Sequence, residues 1–263
     1  MPKNYMRVIG THKPVAIILP NYNMPEAADA LGDYIEKFIK YPHKLIVIDN
    51  GSDITPPSKY TSIKVSENLQ TTAGWLLGLS VADYLEIKHS LKFFAYWILI
   101  TSTSFPNGKA DILSPLVKFL VKNPKAVAIA HSLTKDSTTG WKHLYDRGTG
   151  KPRRTWMLDN ISTLYRADWF NKIGRFDPKM YMAWGSDLET SYIARSQGKS
   201  LWVYDGICAK KVTDTAYKMN RMHLSSRKRR SLATKNMEEV MIFKYGENWN
   251  KIMRNKYVYP KWR

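Results

Sequence analysis

The chain lacks most of the signatures that settle a protein's class at sight. It has a single cysteine, Cys208, among 263 residues, so no internal disulfide can form, and no Cys or His cluster stands around it at metal-ligand spacing. A small buried thiol in a reducing, cytoplasmic setting is the expectation. Its longest apolar runs, Val15–Leu19, Phe93–Ile100 and Ala126–Ala130, fall well short of the roughly 18 residues that cross a bilayer. The opening Met1–Pro14 is short and polar, unlike an export signal. No Gly-x-Gly-x-x-Gly follows the first strand pattern and no Walker-type Gly-x-x-x-x-Gly-Lys-Ser/Thr is present, which disfavours dinucleotide dehydrogenases and P-loop phosphotransferases. Internal repeats and low-complexity segments are also missing.

Acidic residues are scarce beside basic ones. Lys and Arg number 41 against 22 Asp and Glu, a net charge of +19, far more than solubility needs. From Gly206 to Arg263 the count is fifteen basic to four acidic, a net +11, so a polyanionic partner is expected to dock on the C-terminal quarter.

What is present is an alternation of strands and helices. Val15-Ala-Ile-Ile-Leu19 reads as a buried parallel strand that stops in polar Pro20-Asn-Tyr-Asn23. Pro25 opens a helix whose Ala27, Leu31, Tyr34, Ile35 and Phe38 recur at helical spacing up to Tyr41-Pro42. Leu45–Ile48 then repeats the strand pattern and ends at Asp49-Asn-Gly-Ser-Asp53, giving a βαβ unit with a right-handed crossover. A strand at Ile63–Val65, a helix over Thr71–Ile87 and a strand at Tyr96–Ile100 follow, the last ending in Thr101-Ser-Thr-Ser104. A helix near Asp111–Val121 and a strand near Ala126–Ala130 continue the series, and Thr134–Arg154 reads as a basic, flexible loop bordering the site. The pattern predicts an α/β fold with a mostly parallel sheet, its ligand in the crevice beyond the carboxyl ends of the strands. One catalytic domain over residues 1–205, with a basic helical extension over 206–263 packed on it, fits the length. Met237, Val240, Met241 and Phe243 are expected to pack that extension on the core.

Pro20-Asn-Tyr-Asn23, Ile48-Asp-Asn-Gly-Ser-Asp53 and Asn68-Leu-Gln-Thr-Thr-Ala-Gly74, in this order and spacing, resemble glycosyltransferase family 2. Ile173-Gly-Arg-Phe-Asp177, Trp184-Gly-Ser-Asp-Leu-Glu189, Arg195 and Gly198 before a strand at Leu201–Tyr204 look like that family's acceptor-side block, so roughly residues 14–205 are covered. The resemblance implies a Rossmann-like GT-A fold, a UDP-sugar donor and an inverting single displacement. It sets Pro20, Asn21 and Asn23 beside the nucleoside, Asp49 on the base or ribose, and Asn68 near the uracil. Asp187 matches the catalytic base, with Glu189 orienting it or binding acceptor. An Asp at a helix start commonly serves only as an N-cap; here the matched context decides.

The sequence departs from the family where an Asp-x-Asp would bind a divalent Mn or Mg ion, reading Thr101-Ser102-Thr103 instead. Neutral hydroxyls do not offset the dehydration of a hard cation as carboxylates do. Thr101 and Thr103 would still border the diphosphate, with Arg221, Arg227 or Lys228 replacing the metal's charge; His223 is the residue to consider if a cation is used. The favoured acceptor is a hydroxymethylated base in DNA, since basic charge interleaved with Trp, Tyr and His suits a duplex with an extruded base. A lipid-linked or lipopolysaccharide sugar at a membrane surface is the alternative. Non-catalytic readings are a degenerate sugar-binding module and a basic nucleic-acid-binding protein, although no helix-turn-helix, zinc-finger or RNP pattern is evident.

Overall fold

The computed structural model describes residues 13–106, 108, 110–212 and 221–255. The C-terminal Trp262 and Arg263 therefore lie outside the described residues. Strand β1 (Val15–Asn21) is buried along its whole length, as its unbroken apolar run demands. It is flanked by β2 (His43–Asp49) and β4 (Ala95–Leu99), both parallel to it, and β3 (Thr61–Lys64) extends this half beyond β2. Full burial of Ile17, Ile18 and Leu19 stabilises the fold by roughly 1.5–3 kcal/mol each.

The other half of the sheet is mixed. Strand β8 (Ser162–Arg166) runs antiparallel between β4 and β6 (Ala126–Leu133), and β6 is followed by β9 (Ser200–Lys211), parallel to it. One edge of β9 carries β7 (Pro152–Thr155) on its first half and β5 (Thr103–Ser104) on its second, both antiparallel. The sheet is thus parallel from β3 to β4 and reverses at β8. The strand expected over Leu201–Tyr204 continues past residue 205: a bulge carries the register from His131↔Tyr204 to Ser132↔Cys208, and the strand runs on to Lys211.

Helices α1 (Pro25–Phe38), α2 (Gln70–His89), α3 (Ser114–Lys122) and α4 (Ala167–Lys172) cover the sheet. Helix α2 lies close enough to β1 that a Cβ on Gly78 would sit 2.4 Å from the Ile18 side chain, so only glycine fits there. The segment expected as a flexible loop is tied down instead. Thr134 and Thr138 donate backbone hydrogen bonds to Ala209 and Lys211, Asp146 donates to Leu133, and the segment's end forms β7.

Helix α5 (Ser186–Ser196) is followed by α6 (Ser226–Tyr245) and α7 (Trp249–Arg254). A second apolar cluster of Met157, Met180, Leu188, Val240, Met241, Trp249 and Met253 joins these helices, with Met237 partly buried against it. Phe243 departs from expectation: it is 78% exposed, lying on the solvent side of α6 with the Lys179 ammonium 4.8 Å from its ring centre. The helix starts at Ser226, where the Ser225 hydroxyl caps it by accepting from the Lys228 N–H.

Candidate active site

The carboxyl ends of β1, β2 and β4 meet. Asn21 and Asp49 are register partners, and the Asn50 N–H donates to the Asn21 carbonyl at 2.7 Å. Asp49 accepts from the Ser52 N–H at 2.8 Å through Oδ1. Its Oδ2 and both polar side-chain atoms of Asn21 are buried without a hydrogen-bond partner, an arrangement folded chains seldom tolerate without a use. Asn23 takes a left-handed conformation with φ 54° and staples the next loop, its Oδ1 accepting from the N–H groups of Asp53, Ile54 and Thr55. Asn68 accepts from the Asn50 amide and from the Gln70 N–H. The Thr101 hydroxyl closes the cluster by donating to the Pro20 carbonyl at 2.6 Å. Pro20, Asn21, Asn23, Asp49, Asn68 and Thr101 are therefore brought together.

Residues 221–223 lie against this cluster. Arg221 pairs with Glu26 at 2.7 Å, and its carbonyl accepts from the Asn23 amide. His223 Nε2 meets Asp53 Oδ2 at 2.6 Å. Hydrogen bonds from Asn23 and then His223 hold the Asp53 carboxyl down at about 2, so Asp53 is an anion throughout the physiological range. Arg227 and Lys228 are exposed on the first turn of α6, whereas Arg229 reaches in to donate to the Thr71 hydroxyl.

Thr101 and Thr103 do not form a divalent-cation site of the carboxylate kind. Thr101 spends its hydroxyl on Pro20, and buried Thr103 donates its own to the Ile161 carbonyl at 2.8 Å. His223 is engaged with Asp53, and among the described residues no group of three or more His, Cys, Asp or Glu is placed to hold a metal.

The acidic centre forms elsewhere, at the start of α5. Gly185, at φ 85°, turns the chain into this helix, and the Asp187 Oδ1 accepts from the Leu188 N–H at 2.8 Å. Asp159, just before β8, faces the same region. Its Oδ2 accepts from the Thr139 hydroxyl at 3.0 Å, its carbonyl accepts from Thr163, and Asn160 bridges Tyr165 to Ser186. Burial, and then the negative charge of Asp159, push the Asp187 carboxyl up to about 7, while backbone donors and the positive charge of Lys211 pull the other way. Burial likewise raises Asp159, against the opposing effects of Lys211 and Thr139. A carboxylate poised near neutrality suits a proton acceptor.

Glu189 does not join Asp187. It is buried and held by the Tyr245 hydroxyl at 2.7 Å and the Lys244 ammonium, both from α6. Two residues along a helix is a spacing that separates side chains by face. Trp75 and Trp97 are core, donating to the Leu99 carbonyl and the Ser162 hydroxyl, and Trp184, 41% exposed, flanks the start of α5. Asp159, Thr139, Lys211 and Arg229 were missed from sequence. Thr139 lies in the segment expected to border the site and Arg229 in the basic run Arg227-Lys-Arg-Arg230, but neither was singled out, and Lys211 is placed by the register of β9 with β5.

No family model and no curated protein sequence matches the chain. Solved structures do match. GalNAc-T7, determined with UDP, GalNAc and Mn2+, is 11% identical with a TM-score of 0.57, over 76% of this chain and 44% of that one. The mannosyltransferase PcManGT from Pyrobaculum calidifontis, in complex with GDP-Man and Mn2+, is 15% identical with a TM-score of 0.55, over 92% of this chain and 74% of that one. The chain thus spans under half the length of the first. The likeness is one of architecture, and by that architecture the chain has a GT-A fold with a helical C-terminal extension.

Proposed function

We propose that the protein is an inverting glycosyltransferase that moves a sugar from a nucleotide-sugar donor, a UDP-sugar by the sequence resemblance, to an acceptor hydroxyl. The observation that carries this reading is the pairing of two features: polar groups of Asn21 and Asp49 without partners at the strand ends, and a carboxylate, Asp187, tuned towards neutral pH. Both neighbours were solved with nucleotides of this kind, UDP in one case and GDP-Man in the other.

In this mechanism Asp187 takes the proton from the acceptor hydroxyl as its oxygen attacks the anomeric carbon. The bond from that carbon to the phosphate oxygen breaks, and its electron pair leaves with the nucleoside diphosphate. One displacement inverts the anomeric centre, and negative charge nearby favours the oxocarbenium character of the transition state.

A hydroxymethylated base in DNA is the acceptor we favour. Helix α6, with exposed Arg227 and Lys228 on its first turn, is fixed to the start of α5 by Met237 and Met241 packed at Gly185. Exposed positive charge of the kind a phosphate backbone would attract is thus carried by the helix packed at the start of α5. Among the described residues no helix is long and apolar enough to cross a membrane. A panel of UDP- and GDP-sugars, offered with hydroxymethylcytosine DNA, plain DNA and lipid-linked acceptors, tests the reading. Transfer to modified DNA alone supports it, transfer to the lipid acceptor moves the chain to the membrane-surface alternative, and no transfer from any donor overturns it.

A further inference from the structure

Stabilising a departing diphosphate needs positive charge, and Thr101-Ser102-Thr103 offers no carboxylate to hold a divalent cation. Strand β9 supplies a different group. Thr103 pairs with Lys211 and Ser104 with Lys210 in the β5–β9 ladder, and the Val212 N–H donates to the Ser102 carbonyl at 2.8 Å. This ladder fixes residues 210–212 alongside the Thr101-Ser102-Thr103 stretch. Directly paired residues on antiparallel strands project to the same side, so Lys211 is presented on the side of Thr103, whose hydroxyl reaches the Ile161 carbonyl next to the end of β4.

The backbone of Lys211 is fixed as well. Its N–H donates to the Ser137 hydroxyl at 3.2 Å and its carbonyl accepts from Thr138. Its side chain is half-buried, and its charge is felt by both Asp159 and Asp187. Among the described residues neither carboxylate forms an ion pair with it. Lys210 is different, since it is engaged with Asp136 at the surface.

We propose that Lys211 is the cationic group that binds the donor's diphosphate and steadies the charge of the departing nucleotide, in place of a divalent metal ion. A compact ammonium on a flexible stem is a common phosphate partner, and here it is carried on a rigid strand beside the proposed base. The inference rests on reading the cleft as a nucleotide-sugar site. It also assigns the charge to a residue of the sheet rather than to Arg221, which is paired with Glu26.

The test is calorimetric titration of the full chain in EDTA with UDP and uridine, and with GDP and guanosine, for wild type, Lys211→Met, Lys211→Gln, Lys211→Arg and Lys210→Gln. Thermal unfolding of each variant shows whether it is folded. The expected result is nucleoside diphosphate binding by wild type without metal. It weakens by about tenfold or more in Lys211→Met and Lys211→Gln, is largely kept in Lys211→Arg, and is untouched in Lys210→Gln, with nucleoside affinity equal throughout. A lysine that merely balances Asp159 and Asp187 would not separate the diphosphate from the nucleoside. Unchanged diphosphate affinity in both folded neutral variants overturns the inference and leaves the cleft reading standing, as does wild-type binding that appears only on adding Mn2+. Failure of wild type to bind either nucleotide with or without metal overturns both.

Discussion

Asp187 and Asp159 share one patch of charge, the first at the start of α5 and the second just before β8, joined by the Asn160 amide donating to the Ser186 hydroxyl at 3.4 Å. The anion on Asp159 is the largest influence after burial in raising the Asp187 carboxyl. A carboxyl that titrates near neutrality is therefore assembled from two segments distant in sequence.

That pairing predicts the pH dependence. Transfer needs ionised Asp187, so kcat/KM should fall on the acid side of about 7. Asp159→Asn removes the like charge that raises Asp187, so the acid limb should move to lower pH, whereas loss of the Lys211 charge should move it upward. A pH–rate profile of each variant checks the signs, and an unmoved limb in Asp159→Asn would separate the two carboxylates functionally.

Glu189 predicts the opposite kind of effect. Because its carboxylate is buried against Tyr245 and Lys244, Glu189→Ala should destabilise the fold by about 1–3 kcal/mol, leaving the Tyr245 hydroxyl unpaired while Lys244 keeps its second partner, Asp177. Its kcat should stay within a few-fold of wild type under conditions where the variant is folded. Thermal unfolding beside turnover decides this, and a stable but inactive variant would return Glu189 to the chemistry.

Gly185 should tolerate no side chain. Its φ is +85°, and a Cβ there would lie 2.7 Å from the Met237 Cγ. Gly185→Ala combines left-handed strain with overpacking, an expected cost of about 2–4 kcal/mol, read as a fall in Tm. Turnover should fall with it, because the same residue aims the start of α5.

If DNA is the acceptor, retention should weaken linearly in log–log plots against salt. Arg227→Ala with Lys228→Ala should reduce that slope by about 2, roughly one per lost phosphate contact. A slope indifferent to both would remove α6 from the acceptor surface.

Much of the fold was legible in sequence where burial leaves a simple pattern. The continuous apolar runs of β1, β2 and β4 and the helical periodicity of α1 mark themselves. Strand β7 was read as loop because Pro152-Arg-Arg-Thr155 has neither apolar continuity nor alternation; it is held as an edge by backbone pairing to β9. Phe243 was misplaced because the partner surface, Met180 and Leu188, receives α6 through Met237, Val240 and Met241, leaving Phe243 on the opposite side. Asn21 and Asp49 were picked out because they end continuous apolar runs. Asp159 and Lys211 were not, because their proximity depends on an antiparallel strand and a bulge that no local pattern encodes.

Asp187 is the residue on which the proposed chemistry turns. Its raised pKa also means that ionisation opposes folding, an effect absent below about pH 4 and growing as pH rises towards the folded value. Asp187→Asn should therefore unfold at a higher temperature than wild type at about pH 8, but not at about pH 4. The decisive measurement is transfer of labelled sugar to the best acceptor by wild type and Asp187→Asn, with nucleoside diphosphate affinity determined alongside. Turnover should fall by about 100- to 10,000-fold in Asp187→Asn with nucleotide affinity retained; turnover equal to wild type would show that Asp187 is not the base.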